Sequence, residues 1–218
     1  MAINELMKVK TLMLSALALS VAGFYFWINT SVPVIDESKI SDSSLVEYPS
    51  EFNFRQTVND CGPYNTAALT RALTKLPVDS QEFAKNIGYR LPNKYTLPWG
   101  MESQLKENGI EVEIPNLGSL SDEERLEFLF EKLSGKKPII ILGERENYEH
   151  YVSIFGFDRE KYEFYVYDSL FDKGADGLTI DENGELPGNR TFPGKDLLDF
   201  WRGGGMYGLY KWYAIVAS

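Results

Sequence analysis

Cysteine and histidine are almost absent from this 218-residue chain: Cys61 and His150 are the only ones. A single thiol excludes an intramolecular disulfide and any zinc site built on several thiolates. A single imidazole means that any mechanism needing one must use His150. Positive charge is also short, with 22 Lys and Arg against 32 Asp and Glu and a net charge of -10. Phosphate backbones are held by clustered Lys and Arg, so nucleic acid is excluded as a partner. No GxSxG elbow, HExxH pair or Walker-type glycine loop is present, which removes the common serine-hydrolase, zincin and nucleotide-hydrolase classes. Gly203, Gly205 and Gly208 have GxGxxG spacing, but a predicted helix precedes them and none follows, unlike a dinucleotide site. The acidic stretch from Asp172 to Glu185 lacks the register of a calcium loop and reads as a solvated loop. What is present, 44% apolar and 25% charged residues with no fixed-period repeat, suits one well-packed domain.

Thr11 to Ile28 runs without a charge, and as a helix it comes close to the roughly 30 Å hydrocarbon thickness of a bilayer. Lys8 and Lys10 precede it, while Asp36 and Glu37 follow. The positive-inside bias therefore puts residues 1–10 in the cytoplasm and the rest outside, anchored through a membrane helix at 11–28. The same stretch also fits a cleavable signal peptide with Ser20-Val21-Ala22 at the cut, in which case the domain is secreted. Both readings export the remainder. Residues 29–48 are rich in Ser, Asp and Glu without a sustained period and read as a linker, leaving 49–218 as the folded domain.

After Cys61, apolar residues at Leu69, Ala72, Leu73 and Leu76 have the spacing of a half-buried helix, and Pro63 suits its first turn. Further helices are predicted near 80–87, 101–108, 121–133 and 195–201, the third opened by the capping box Ser121-Asp122-Glu123-Glu124. Strands are predicted near 111–114, 138–142, 151–157, 162–167 and 212–217, each short and rich in β-branched or aromatic residues. Helices come first and strands cluster later. That order predicts an α+β domain whose first helix packs on an antiparallel sheet, rather than alternating βαβ units.

Cys61 stands at the entrance of the first helix, where the helix dipole and free backbone N–H groups favour a reactive thiolate. The neighbouring Gly62 is expected to let a substrate carbonyl approach, and the Gln56 side-chain amide to join the Cys61 N–H in holding a developing oxyanion. His150 opens a strand, and a turn around 158–161 returns the chain to Asp168. The two positions are equidistant from residue 159, so antiparallel pairing brings them opposite one another if the turn is odd or a bulge intervenes; a two- or four-residue loop puts Ser169 there instead. A lone Cys is commonly a buried hydrophobe and a lone His a satisfied core imidazole. Thiol, base and orienting carboxylate together are the three parts of an activated nucleophile.

These residues resemble the bacteriocin-processing peptidase family and its stand-alone relatives, within the papain-like cysteine peptidases. The likeness covers about residues 50–217 and is carried by Gln56 with Asp60-Cys61-Gly62-Pro63, His150-Tyr151-Val152 with Gly156-Phe157-Asp158, and Tyr167-Asp168. Leu97-Pro98-Trp99 and Phe200-Trp201 add to it. The resemblance implies a papain-like fold, Cys61 as nucleophile, His150 as base, Asp168 as its orienting group, Gln56 in the oxyanion hole, a peptide or protein substrate, and no metal or organic cofactor. It departs from the family where Tyr64 and Asn65 follow Cys-Gly-Pro, which is expected to narrow the cleft, and where Ser169 follows Asp168 in place of the common Pro. Acyl transfer to an amine, as in transglutaminase-like proteins, and an inactive peptide-binding module use the same residues and stay open alternatives.

Overall fold

Ile139, Ile140, Ile141 and Leu142 are all buried, because the strand that carries them lies in a sheet covered on both faces. The computed structural model describes residues 32–205, 208 and 210–218. Its elements are β1 (Ser43–Leu45), α1 (Cys61–Thr74), α2 (Ser80–Asn86), α3 (Pro98–Glu107), β2 (Val112–Glu113), α4 (Asp122–Ser134), β3 (Ile139–Arg145), β4 (Tyr148–Asp158), β5 (Glu163–Tyr167), β6 (Arg190–Pro193), α5 (Gly194–Gly203) and β7 (Ala214–Ala217). The predicted n-region and membrane helix lie outside the described residues. Among those described, no helix is long and apolar enough to cross a membrane.

All pairings are antiparallel, in the order β2-β7-β3-β4-β5-β6, with β1 added alongside β4. Alternating residues face opposite ways. Ile139, Ile141, Val152, Ile154, Val166 and Val216 meet α4 and α5 through Phe128, Leu129, Leu197 and Trp201. Ile140, Leu142, Tyr151, Phe155, Tyr167 and Ile215 meet α1 and α3 through Leu69, Met101 and Leu105. Each such aliphatic or aromatic side chain contributes about 1.5–3 kcal/mol by leaving water. This three-layer arrangement is the α+β packing expected of helices followed by strands. The capping box is formed, with Ser121 Oγ accepting from the Glu124 N–H at 3.2 Å and Glu124 Oε2 from the Ser121 N–H at 2.6 Å.

Two strands go beyond the sequence reading. Part of the segment read as linker is inside the fold: Ser43–Leu45 pairs with Gly156–Asp158, and Val46 and Tyr48 are buried. Only Ser44 of that strand points inward, hydrogen-bonding the Leu133 carbonyl, so no apolar alternation marks it. β6 sits at the sheet edge, half-buried and ending in Pro193, where a missing N–H is tolerated.

A β-bulge sets the geometry around the return from β4 to β5. The connecting loop is Arg159–Tyr162, and the register runs from Asp158↔Glu163 to Gly156↔Tyr165, then shifts to Ile154↔Val166 and Ser153↔Tyr167, leaving Phe155 unopposed. Without that shift, continuation would set Asp168 opposite Ser153, on the face away from His150. With it, Asp168 falls opposite Val152 and shares the parity of His150. The freed Phe155 carbonyl accepts from the Val46 N–H at 2.6 Å, so the bulge is held by the chain running on from β1.

Candidate active site

The β4–β5 ladder stops at Ser153↔Tyr167, while β4 runs on to Tyr148 paired only with β3. His150, Asp168, Ser169 and the start of α1 gather beyond that open end. α1 is tied to β4 by Asn65, whose Nδ2 donates to the carbonyls of Cys61 and Tyr151, both at 2.8 Å, and whose Oδ1 accepts from Ser153 Oγ at 2.7 Å. Cys61 is the first residue of the helix and only 4% exposed. The preceding Asp60 makes no side-chain cap; it pairs with Arg90 at 2.6 Å and accepts from the Thr57 hydroxyl, bracing the loop that carries Gln56.

The imidazole Nε2 donates to Asp168 Oδ1 at 2.8 Å in a setting where both side chains are almost completely buried. Nδ1 makes no hydrogen bond of good geometry, but the Cys61 sulfur is close enough to act on the ring. Burial by itself would hold His150 neutral; the Asp168 carboxylate, with Cys61 adding to it, reverses this and pushes the imidazole up to about 10. Asp168 moves the other way. Burial opposes its charge, and His150, the Leu170 N–H and Arg190 together hold it well below the usual carboxylate range. The pair is therefore an imidazolium and a carboxylate near neutral pH.

Asp168 is held from four directions. Oδ1 also accepts from the Leu170 N–H at 2.9 Å, and Oδ2 accepts from Arg190 Nη1 at 3.0 Å. Asn189 clamps its backbone, donating from Nδ2 to the Asp168 carbonyl at 2.9 Å and accepting the Asp168 N–H at 2.8 Å. Gln56 meets the following residue: its N–H donates to the Ser169 carbonyl at 2.9 Å, and its Oε1 accepts from Ser169 Oγ at 2.7 Å. Its Nε2 is buried without a partner.

Gln56, Cys61, His150 and Asp168 are thus brought into one neighbourhood, with three corrections to what surrounds them. His150 and Asp168 are not directly paired, and Ser169 does not take that place; the contact spans a diagonal past the end of the ladder. Gly62 serves packing, not a substrate carbonyl, since a Cβ there would lie 2.8 Å from Thr96 Cβ. Asn65 does not narrow a cleft, because it is fully buried between α1 and β4. Arg190 and Asn189 went unread. Both reach Asp168 across the β5–β6 pairing and the loop before it, contacts with no local periodicity to announce them. Asn65 did leave a trace, one helical turn after Cys61 on the buried face.

No protein-family model matches the sequence, and no curated protein does either. Among solved structures, the chain is similar to a double glycine motif protease from an AMS/PCAT transporter in complex with the leader peptide, at 14% identity and a TM-score of 0.50, covering 80% of this chain and 93% of that one. It is also similar to the peptidase domain of Streptococcus ComA, a bi-functional ABC transporter involved in a quorum sensing pathway, at 14% identity and a TM-score of 0.49, covering 77% and 98%. At such identity the likeness is one of backbone alone. The chain has the fold of that double glycine motif protease.

Proposed function

We propose that this chain is a thiol peptidase using Cys61, His150, Asp168 and Gln56, on a domain held outside the cytoplasmic membrane. The observation that carries the reading is a buried imidazole gripped at Nε2 by Asp168, its Nδ1 free of any other hydrogen bond, with the sulfur at a helix N-terminus close enough to act on the ring. The Cys61 sulfur, its proton already held by His150, bonds to an amide carbonyl carbon, whose oxygen gains the negative charge. The Cys61 N–H and Gln56 Nε2 receive that oxyanion. Collapse breaks the C–N bond, His150 delivers its proton to the departing amine, and water then hydrolyses the thioester. The chemistry draws on this chain's own side chains and water.

The neighbouring structure described as a double glycine motif protease with a leader peptide directs the first substrates to be tried. Synthetic peptides with a Gly-Gly junction, incubated with the domain, are expected to be cut and to leave an acyl thioester on Cys61, detectable by intact mass after acid quench. No cleavage and no adduct across a diverse peptide set, or cleavage that survives complete iodoacetamide blocking of Cys61, would refute the reading. The outward orientation rests on the uncharged run 11–28 preceded by Lys8 and Lys10. Protease added outside spheroplasts should digest the domain; protection until lysis would overturn that placement.

A further inference from the structure

We infer that Ser169 is a positioning residue of the oxyanion hole, orienting the Gln56 amide through a chain of hydrogen bonds that begins at the α1 backbone. The inference rests on the proposed role of Gln56. An amide is nearly symmetric in shape, so Gln56 can offer either its NH₂ or its oxygen to a reacting carbonyl, and only the NH₂ stabilises an oxyanion. Something must select between the two.

The selection follows from groups that have no freedom. Asn65 Nδ2 lies 2.8 Å from two carbonyl oxygens, those of Cys61 and Tyr151. Carbonyls only accept, so the Asn65 amide has one orientation, with its oxygen toward Ser153 Oγ. That same NH₂ faces Ser169 Oγ at 3.5 Å. An NH₂ accepts nothing, and both of its hydrogens already serve the two carbonyls, so the serine proton has no acceptor on that side and turns toward Gln56 at 2.7 Å. Gln56 must meet a donor, so its oxygen faces Ser169 and its Nε2 is left as a buried N–H group with no acceptor. A buried donor left without an acceptor is costly, a penalty relieved when an oxyanion arrives. Ser169 follows Asp168 directly, so one two-residue segment orients the base with its first side chain and the oxyanion donor with its second.

Two reactions of Cys61 separate this role from a general structural one without a known substrate. Acylation by p-nitrophenyl acetate passes through a tetrahedral oxyanion, forming the acetyl thioester as p-nitrophenolate leaves. Alkylation by iodoacetamide is a direct displacement of iodide with no oxyanion. Gln56→Ala is expected to slow acylation by about 100-fold and Ser169→Ala by about tenfold, with alkylation unchanged in both. Ser169→Thr, which keeps the hydroxyl, should restore the wild-type acylation rate, and Gln56→Ala/Ser169→Ala should be no slower than Gln56→Ala alone. Equal slowing of both reactions by Ser169→Ala, no slowing of either, or additive losses in the double variant would overturn the inference. If Gln56→Ala itself leaves acylation unchanged, the oxyanion role of Gln56 fails, and the positioning role of Ser169 with it.

Discussion

His150→Ala is expected to lower kcat/KM for amide cleavage by about 10⁵–10⁶-fold, to the same floor as Cys61→Ala. The chain has one imidazole and one thiol, so neither variant has a substitute within reach. Groups that act as a unit lose their effect together, and the double variant should be no slower than either single one. The His150 change leaves Asp168 still paired with Arg190 and the Leu170 N–H, so the carboxylate is not stranded and the domain should fold. Circular dichroism and a urea midpoint check that point before any rate is compared. Activity of His150→Ala within tenfold of wild type would sink the mechanism.

The same reasoning fixes the alkaline limb of the wild-type profile. The proton that must reach the departing amine sits on His150, whose pKa Asp168 and Cys61 push up to about 10 against the opposing effect of burial. The imidazolium therefore persists through neutral pH and is lost only as pH rises through that value. A bend in kcat/KM near an ordinary histidine pKa of about 6.5 would mean that Asp168 does not act on the ring as its position requires.

How much of this could be read beforehand depended on whether a feature is local. The helix following Cys61 announced itself through period and position, as did the Ser121 capping box and the apolar strands β3 to β5. Pattern could not show a bulge at Phe155, which rests on the Val46 N–H arriving from a segment with no apolar alternation. Symmetry about residue 159 suggested that His150 and Asp168 meet, yet the contact is a diagonal set by loop length and bulge together. Gly62 was misread for a similar reason: a glycine beside a nucleophile suggests room for substrate, but the space belongs to Thr96 from another segment. Arg190 was invisible because its meeting with Asp168 depends on the edge pairing of β6.

Arg190 also decides the outcome of Asp168→Asn, for which a loss of about 10⁴-fold in kcat is expected. Asparagine must place its NH₂ either where Oδ2 meets the Arg190 guanidinium or where Oδ1 meets His150 and the Leu170 N–H. The guanidinium carries a full charge and rejects a second donor more strongly, so the NH₂ turns toward Nε2. That nitrogen then becomes an acceptor, the ring proton moves to Nδ1, and the group facing Cys61 can no longer act as a base. Stability should respond as well. His150 has a folded pKa raised above its unfolded one, so its contribution is fully present below about pH 6.5 and is lost as pH rises through about 10. Asp168, lowered by the same contact, loses its contribution only as pH falls below the ordinary carboxylate range; this is one interaction seen from its two partners. In wild type the unfolding free energy should therefore decline between pH 6.5 and 9.5, with a slope of up to about 1.4 kcal/mol per pH unit, and Asp168→Asn should flatten that decline. Urea midpoints at pH 6.5, 8 and 9.5 for both proteins decide it: parallel curves would show that the buried pair is not ionised in the native state.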